Sequence, residues 1–153
     1  MLRLLTTVAA ASLVLAGAAV AQDAPFSAQI KARQGIMFYR ALQLGTLGAM
    51  AKGEAPYDAA AAQAAADNLL TAVAIDTSML WPKGSDHDAN PESIALPAIW
   101  AEGSDIADKG KAMVAAARAL QAAAGTGLEP MKAAMGPVGE ACGACHKPFR
   151  LPK

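Results

Sequence analysis

The sequence predicts an all-α chain folded as an antiparallel four-helix bundle, on three observations. Alanine fills about a quarter of the 153 positions and aromatic residues only 5%, in a chain that is 54% hydrophobic. Because alanine is the best helix former and a poor strand former, a β-sandwich is excluded. Apolar residues recur at helical spacing in four segments punctuated by Gly and Pro. Of the segments between them only one is long, which suits antiparallel neighbours, and nothing alternates strand with helix as a βαβ fold requires. Lys plus Arg and Asp plus Glu number 13 each, so no basic field exists to hold a polyphosphate, and a nucleic-acid partner is excluded.

Residues 1–21 stand apart from the bundle. Met1 and Arg3 precede an apolar stretch from Leu4 to Ala18, and Ala19-Val20-Ala21 supplies the small residues of a signal peptidase site. The apolar core is shorter than the ~20 residues of a spanning helix, so cleavage after Ala21 and export to the periplasm are expected, with no membrane insertion afterwards. The mature chain, residues 22–153, is then a single domain of 153 − 21 = 132 residues with formal charge −1, since Arg3 is lost from a net charge of zero.

The first helix is expected from Ser27, as N-cap, to Met50, with Ile30, Met37, Ala41, Leu44 and Gly48 on one face; Lys52-Gly53 and Pro56 end it. The second opens on Asp58 as cap and runs to Ile75, its stripe being Ala62, Ala65, Ala66, Leu69 and Val73. Residues 78–97 carry Pro82, Gly84, Pro91 and Pro97 among Ser, Asp and Asn and read as a long loop. The third helix is expected from Pro97 to Ala124, with Ile99, Ile106, Met113 and Leu120 inward, stopped by Gly125-Thr126-Gly127. The fourth runs from Leu128 to Phe149, with a kink or tightened turn around Gly136-Pro137.

Both cysteines of the chain lie in Cys142-Gly143-Ala144-Cys145-His146, the attachment signature of a c-type haem. On a helix, positions i, i+3 and i+4 share a face, so two thiols can join the two vinyl groups of one porphyrin while the adjacent imidazole reaches the iron. The competing readings fare worse. A redox dithiol wants a βαβ setting, a zinc site lacks further Cys or His nearby, and a disulfide this tight stabilises little and leaves His146 without a purpose.

A haem motif near the C-terminus of an exported four-helix chain resembles the class II c-type cytochromes, the cytochrome c′ family. Further stretches carry the likeness: Arg33-Gln34-x-x-Met37, Lys52-Gly53 with Pro56-Tyr57-Asp58, Pro97-x-Ile99-Trp100, and Cys142-x-x-Cys145-His146-x-x-x-Arg150. The resemblance spans essentially the whole mature chain. It implies one haem c held by thioethers from Cys142 and Cys145, His146 as proximal iron ligand, the first helix on the distal side, and Arg33 and Arg150 near the haem propionates. Arginine suits that last role because it pairs carboxylates bidentately.

The family divides at the distal position, here Met37. One branch is low-spin with methionine as sixth ligand; the other is five-coordinate with a bulky residue over an open iron face. A thioether raises the potential of haem iron, which suits an electron carrier, although methionine at helical spacing is also a common core filler. Met50, Met113, Met131 and Met135 read as packing and Met79 as loop or core edge. Trp81 and Trp100 read as packing, and His87 as an exposed loop residue. The main functional reading is a one-electron carrier with His146 and Met37 on the iron, serving a redox partner protein. The alternative is a high-spin protein that binds nitric oxide or carbon monoxide. No distal acid–base pair points to an enzyme, so no catalytic residue is assigned. Lys31, Arg40, Lys147 and Lys153 are candidates for a positive docking rim, and the small residues of the second helix suit a homodimer.

Overall fold

The computed structural model describes residues 24–152, so the expected signal segment 1–21 lies outside the described residues. Four helices follow in order: α1 (Ser27–Lys52), α2 (Ala59–Ala74), α3 (Ile106–Ala124) and α4 (Leu128–Phe149), with short 3-10 turns at Ser78–Leu80 and Pro97–Trp100. Among the described residues the only β pairing is an isolated antiparallel bridge between Ala95 and Arg150. The four-helix expectation is borne out.

The entry to α1 differs from expectation. Phe26, in the left-handed region at φ 65°, precedes the helix and provides no side-chain cap. Ser27 is buried inside the first turn, and its hydroxyl donates to the Glu92 carboxylate at 2.6 Å. The hydroxyl that could have capped its own helix instead ties α1 to the long loop. At the other end Gly53 takes φ 74° and donates to Met50 O at 3.1 Å, while Glu54 and Ala55 N–H groups reach Ala49 O, so the helix stops at the expected Lys52-Gly53.

Asp58 caps α2 as expected, accepting from Ala61 N at 2.7 Å. The buried stripe is Ala62, Ala65, Ala66, Leu69 and Ala72; Val73, expected on it, is only partly buried. These small side chains let α3 approach closely, and polar ties fix the register. Gln63 donates to Gln121 O at 3.0 Å and accepts from Gly125 N at 3.2 Å, and the Tyr57 hydroxyl donates to Ala124 O at 2.8 Å, so the C-terminal carbonyls of α3 find partners on and before α2. A Cβ at Gly125 would stand 2.7 Å from the Gln63 amide oxygen, hence glycine there.

The expected third helix is too long by 106 − 97 = 9 residues at its start. Pro97 opens only the 3-10 turn, Ala101 is extended, and Gly103 at φ +76° turns the chain before Asp105 and Ile106 begin α3. α4 continues as one α-helix through Gly136 and Pro137, so the expected tightened turn is absent. Ala133, whose carbonyl loses the Pro137 N–H as donor, and Pro137 itself both lie on the exposed side, where water can substitute.

Two clusters form the core. The larger gathers Leu47 and Met50 of α1, Leu69 of α2, Leu120 of α3, Met131 and Val138 of α4 and the alanines between them. The smaller sits under the long loop, where Ala95, Ile99 and Phe149 meet Trp81, Trp100 and Ile106. Leu96 N–H to Phe149 O and Leu151 N–H to Ile94 O, both at 2.9 Å, stitch that loop to the end of α4. Helices pack closely in the pairs α1–α2, α2–α3 and α3–α4, whereas α1 and α4 meet only lightly. On α1, Met37, Phe38 and Leu42 are exposed, at 38%, 67% and 53%. No helix among the described residues is long and apolar enough to cross a membrane.

Candidate haem-binding site

α4 presents Cys142, Cys145 and His146 at the junction of the two cores. Cys142 packs against the larger cluster, its sulfur 4.0 Å from that of Met113, and Cys145 packs against the smaller one. All three side chains are half-buried, and the cysteines are not joined to each other. Burial pushes both thiols above the usual cysteine pKa. The Arg40 charge opposes this at Cys142; at Cys145 Lys109 and Arg40 oppose it, while Cys142 and Asp105 add to it. Neutral thiols, one on each core, suit thioether formation to one rigid group lying along the slack α1–α4 side.

Arg150 supplies a second sign of fit. Its backbone N–H closes the last turn of α4 onto His146 O at 3.2 Å, and its Nε–H is buried with no acceptor among the described residues. A buried donor without an acceptor costs about 1–3 kcal/mol, and a carboxylate-bearing group beside His146 would satisfy it.

Arg33, expected at the haem rim, has other work. It is buried, with its guanidinium 4.5 Å above the Trp81 ring. Nη1 donates to Leu80 O at 3.1 Å and Ser85 Oγ at 2.7 Å, and Nη2 to Ser85 O and to Ser93 Oγ at 2.7 Å. Burial lowers its pKa, which the Asp86 charge partly restores. It therefore acts as the strut of the long loop. Trp100 Nε1 donates to Trp81 O at 3.0 Å and the two rings lie 6.3 Å apart, so both tryptophans serve packing. His87 is half-buried rather than exposed: Nδ1 bonds Ser93 O at 2.8 Å and its N–H donates to Ala95 O. Arg33→Leu is expected to destabilise the protein by about 3 kcal/mol, because it strands loop acceptors that a charged donor now serves; urea unfolding measures it, with Arg33→Lys intermediate.

Met37 lies on α1 in a small cleft with Arg33, Ile36, Arg40, Thr77 and Trp81. Its sulfur is 3.5 Å from Arg40 Nη1. Arg40 also donates to Ala72 O through Nη2 at 2.7 Å and Nε at 3.2 Å. It is thus half-buried between helices rather than exposed as expected, whereas Lys31 and Lys147 are each exposed; Lys153 is outside the described residues. Sequence reasoning placed Arg40 only on the surface, although its position three residues after Met37 puts both on one helix face.

The family sequence model described as Cytochrome C′ matches residues 28–150. The chain belongs to the cytochrome c′ family. Cytochrome c-554 of Cereibacter sphaeroides is 46% identical over 133 residues, covering 86% of this chain and 87% of that protein. Cytochrome c′ of the same organism is 43% identical over 148 residues, covering 97% and 96%. The solved cytochrome c′ of Rhodobacter sphaeroides is similar in fold, with TM-score 0.81 and 42% identity over 85% of this chain and all of that one. Solved Alcaligenes xylosoxidans cytochrome c′ variants, 31% identical, include forms with bound nitric oxide (TM-score 0.71; 82% of this chain, 94% of that one) and carbon monoxide (0.70; 81% and 94%). As a cytochrome c′ family member the chain carries one covalently attached haem c, and the half-buried cysteine pair and the unpartnered Arg150 donor fit it.

Proposed function

We propose that the protein is a periplasmic one-electron carrier, exported with loss of residues 1–21, whose haem iron is held by His146 and Met37. The observation that carries this reading is the placement of the Met37 thioether on α1, beside an arginine whose charge acts on both haem-bearing thiols across the slack side of the bundle. When bound, the haem supplies an iron centre that takes up and releases one electron. Cys142 and Cys145 would anchor it, His146 would ligate the iron, and Met37 would offer it a soft sulfur that favours the reduced state. Arg150 Nε–H would donate to a propionate, and Arg33, whose Nη groups hold the loop, would have only its Nε left to offer the other. A redox partner protein would meet the exposed edge of the group. No residue is assigned a catalytic role.

A second reading has its own support. Relatives are solved with nitric oxide or carbon monoxide bound, and in this chain the Met37 side chain is 38% exposed. A thioether that does not close on the iron leaves the distal face open to a diatomic gas. The ferric absorption spectrum of the holoprotein, with carbon monoxide titration of its ferrous form, separates the two. A low-spin spectrum with no carbon monoxide uptake is expected; a high-spin spectrum with ready uptake establishes the gas-binding function instead.

A homodimer is proposed through the outer α1–α2 face. There a groove of about 330 Å³ has small residues, Ala32, Gly35 and Ala72, in its lining and the larger Ile36, Tyr39 and Ile75 beside them, apolar surface that a second copy would cover. Sedimentation showing only monomer at high concentration would remove it.

A further inference from the structure

We propose that Arg40 is the positioning residue of the distal side: anchored on the C-terminus of α2, its guanidinium orients the Met37 thioether and sets a positive charge against the haem. The first half rests on the proposed Met37 ligation, the second only on the attached haem.

The anchor follows from how α2 ends. The helix has no basic residue in its last turn, and its C-cap Ile75 is not in the left-handed conformation that satisfies terminal carbonyls in other helices. Ala72 O is one of the last four carbonyls, which have no intrahelical donor. Arg40 supplies two donors to it from α1, at 2.7 and 3.2 Å. A cation is also favoured at the negative end of the helix dipole. With Nε and Nη2 so fixed, the planar guanidinium has one direction left for Nη1, and that direction meets Met37 Sδ at 3.5 Å.

The charge is placed by the same geometry. Of the other cations near the site, Arg33 has both Nη groups tied to the loop, Lys109 is paired with Asp105 at 2.9 Å, and Arg150 lies at the end of α4 beside His146, on the side of the motif assigned to a propionate. Among the described residues Arg40 has no carboxylate within ion-pair distance, and its charge acts on Cys142 and, less strongly, on Cys145. The half-buried setting screens it less than bulk water does. Ferric haem carries one more positive charge than ferrous haem, so a fixed cation beside it favours the ferrous form and raises the midpoint potential.

The test compares holoprotein variants by redox titration and ferric spectroscopy, with thermal melts to confirm that each is folded. Arg40→Gln is expected to lower the midpoint potential and raise the high-spin fraction. Arg40→Lys, which keeps the charge but cannot grip Ala72 O and Met37 together, is expected to keep most of the potential while weakening the red charge-transfer band of iron–thioether ligation. A midpoint unchanged in Arg40→Gln, or lowered as far by Arg40→Lys, overturns the role of the charge. A thioether band present in the parent and untouched in both variants overturns the orienting role. If the parent lacks that band, Met37 ligation itself fails and the orienting role falls with it, while the potential comparison still decides the charge.

Discussion

Replacing Cys142 and Cys145 together by alanine is expected to leave the purified protein colourless and largely unfolded. The two sulfurs belong to different cores, one against Met113 and the larger cluster, the other against the Ala95, Ile99 and Phe149 cluster. Between α1 and α4 the helices meet only lightly, so the group that joins the cores also fills the side the chain does not close. Voids cost about 24 cal/mol per Å³. Even part of a porphyrin-sized void therefore rivals the whole stability of a small domain, about 5–15 kcal/mol. Either single substitution is expected to retain haem on one thioether with lowered stability. Acid–acetone extraction followed by far-ultraviolet circular dichroism reads both effects. A double variant that holds its haem through extraction would refute covalent attachment at these residues.

The features that sequence made visible are those whose partners are local. Apolar spacing located all four helices, Asp58 was recognisable as a cap because its partner Ala61 is three residues on, and Gly53 marked the end of α1. The haem motif is readable for the same reason: its three residues sit within five positions. Long-range polar contacts were invisible. Ser27 has the residue type of an N-cap, yet its acceptor Glu92 lies 65 positions away; Arg33 holds groups 47 to 60 positions away, and Arg40 reaches 32 positions to Ala72. Pro97 suits the first turn of a 3-10 segment as well as that of an α-helix, and it is the extended Ala101 and the positive φ of Gly103 that separate that turn from α3.

Met37→Ala is expected to convert the ferric holoprotein from low-spin to high-spin, lower its midpoint potential and open the ferrous form to carbon monoxide. Three placements carry this. The haem motif fixes the porphyrin to α4; α1 lies across the slack side of the bundle from it; and on α1 it is Met37 whose sulfur adjoins the arginine that acts on both thiols. Removing the thioether takes away a soft ligand that favours ferrous iron and leaves a coordination position for an exogenous ligand. Stability should change less than in a core truncation, because Met37 is 38% exposed, whereas Leu47 and Met131 are fully buried. That contrast separates a ligand from a packing residue: a filler loses stability with the spectrum unmoved, and a ligand loses its spectrum with the fold retained. If the parent protein is already high-spin, binds carbon monoxide, and the substitution alters neither property, Met37 only lines the distal wall, and the open iron face makes gas binding the function.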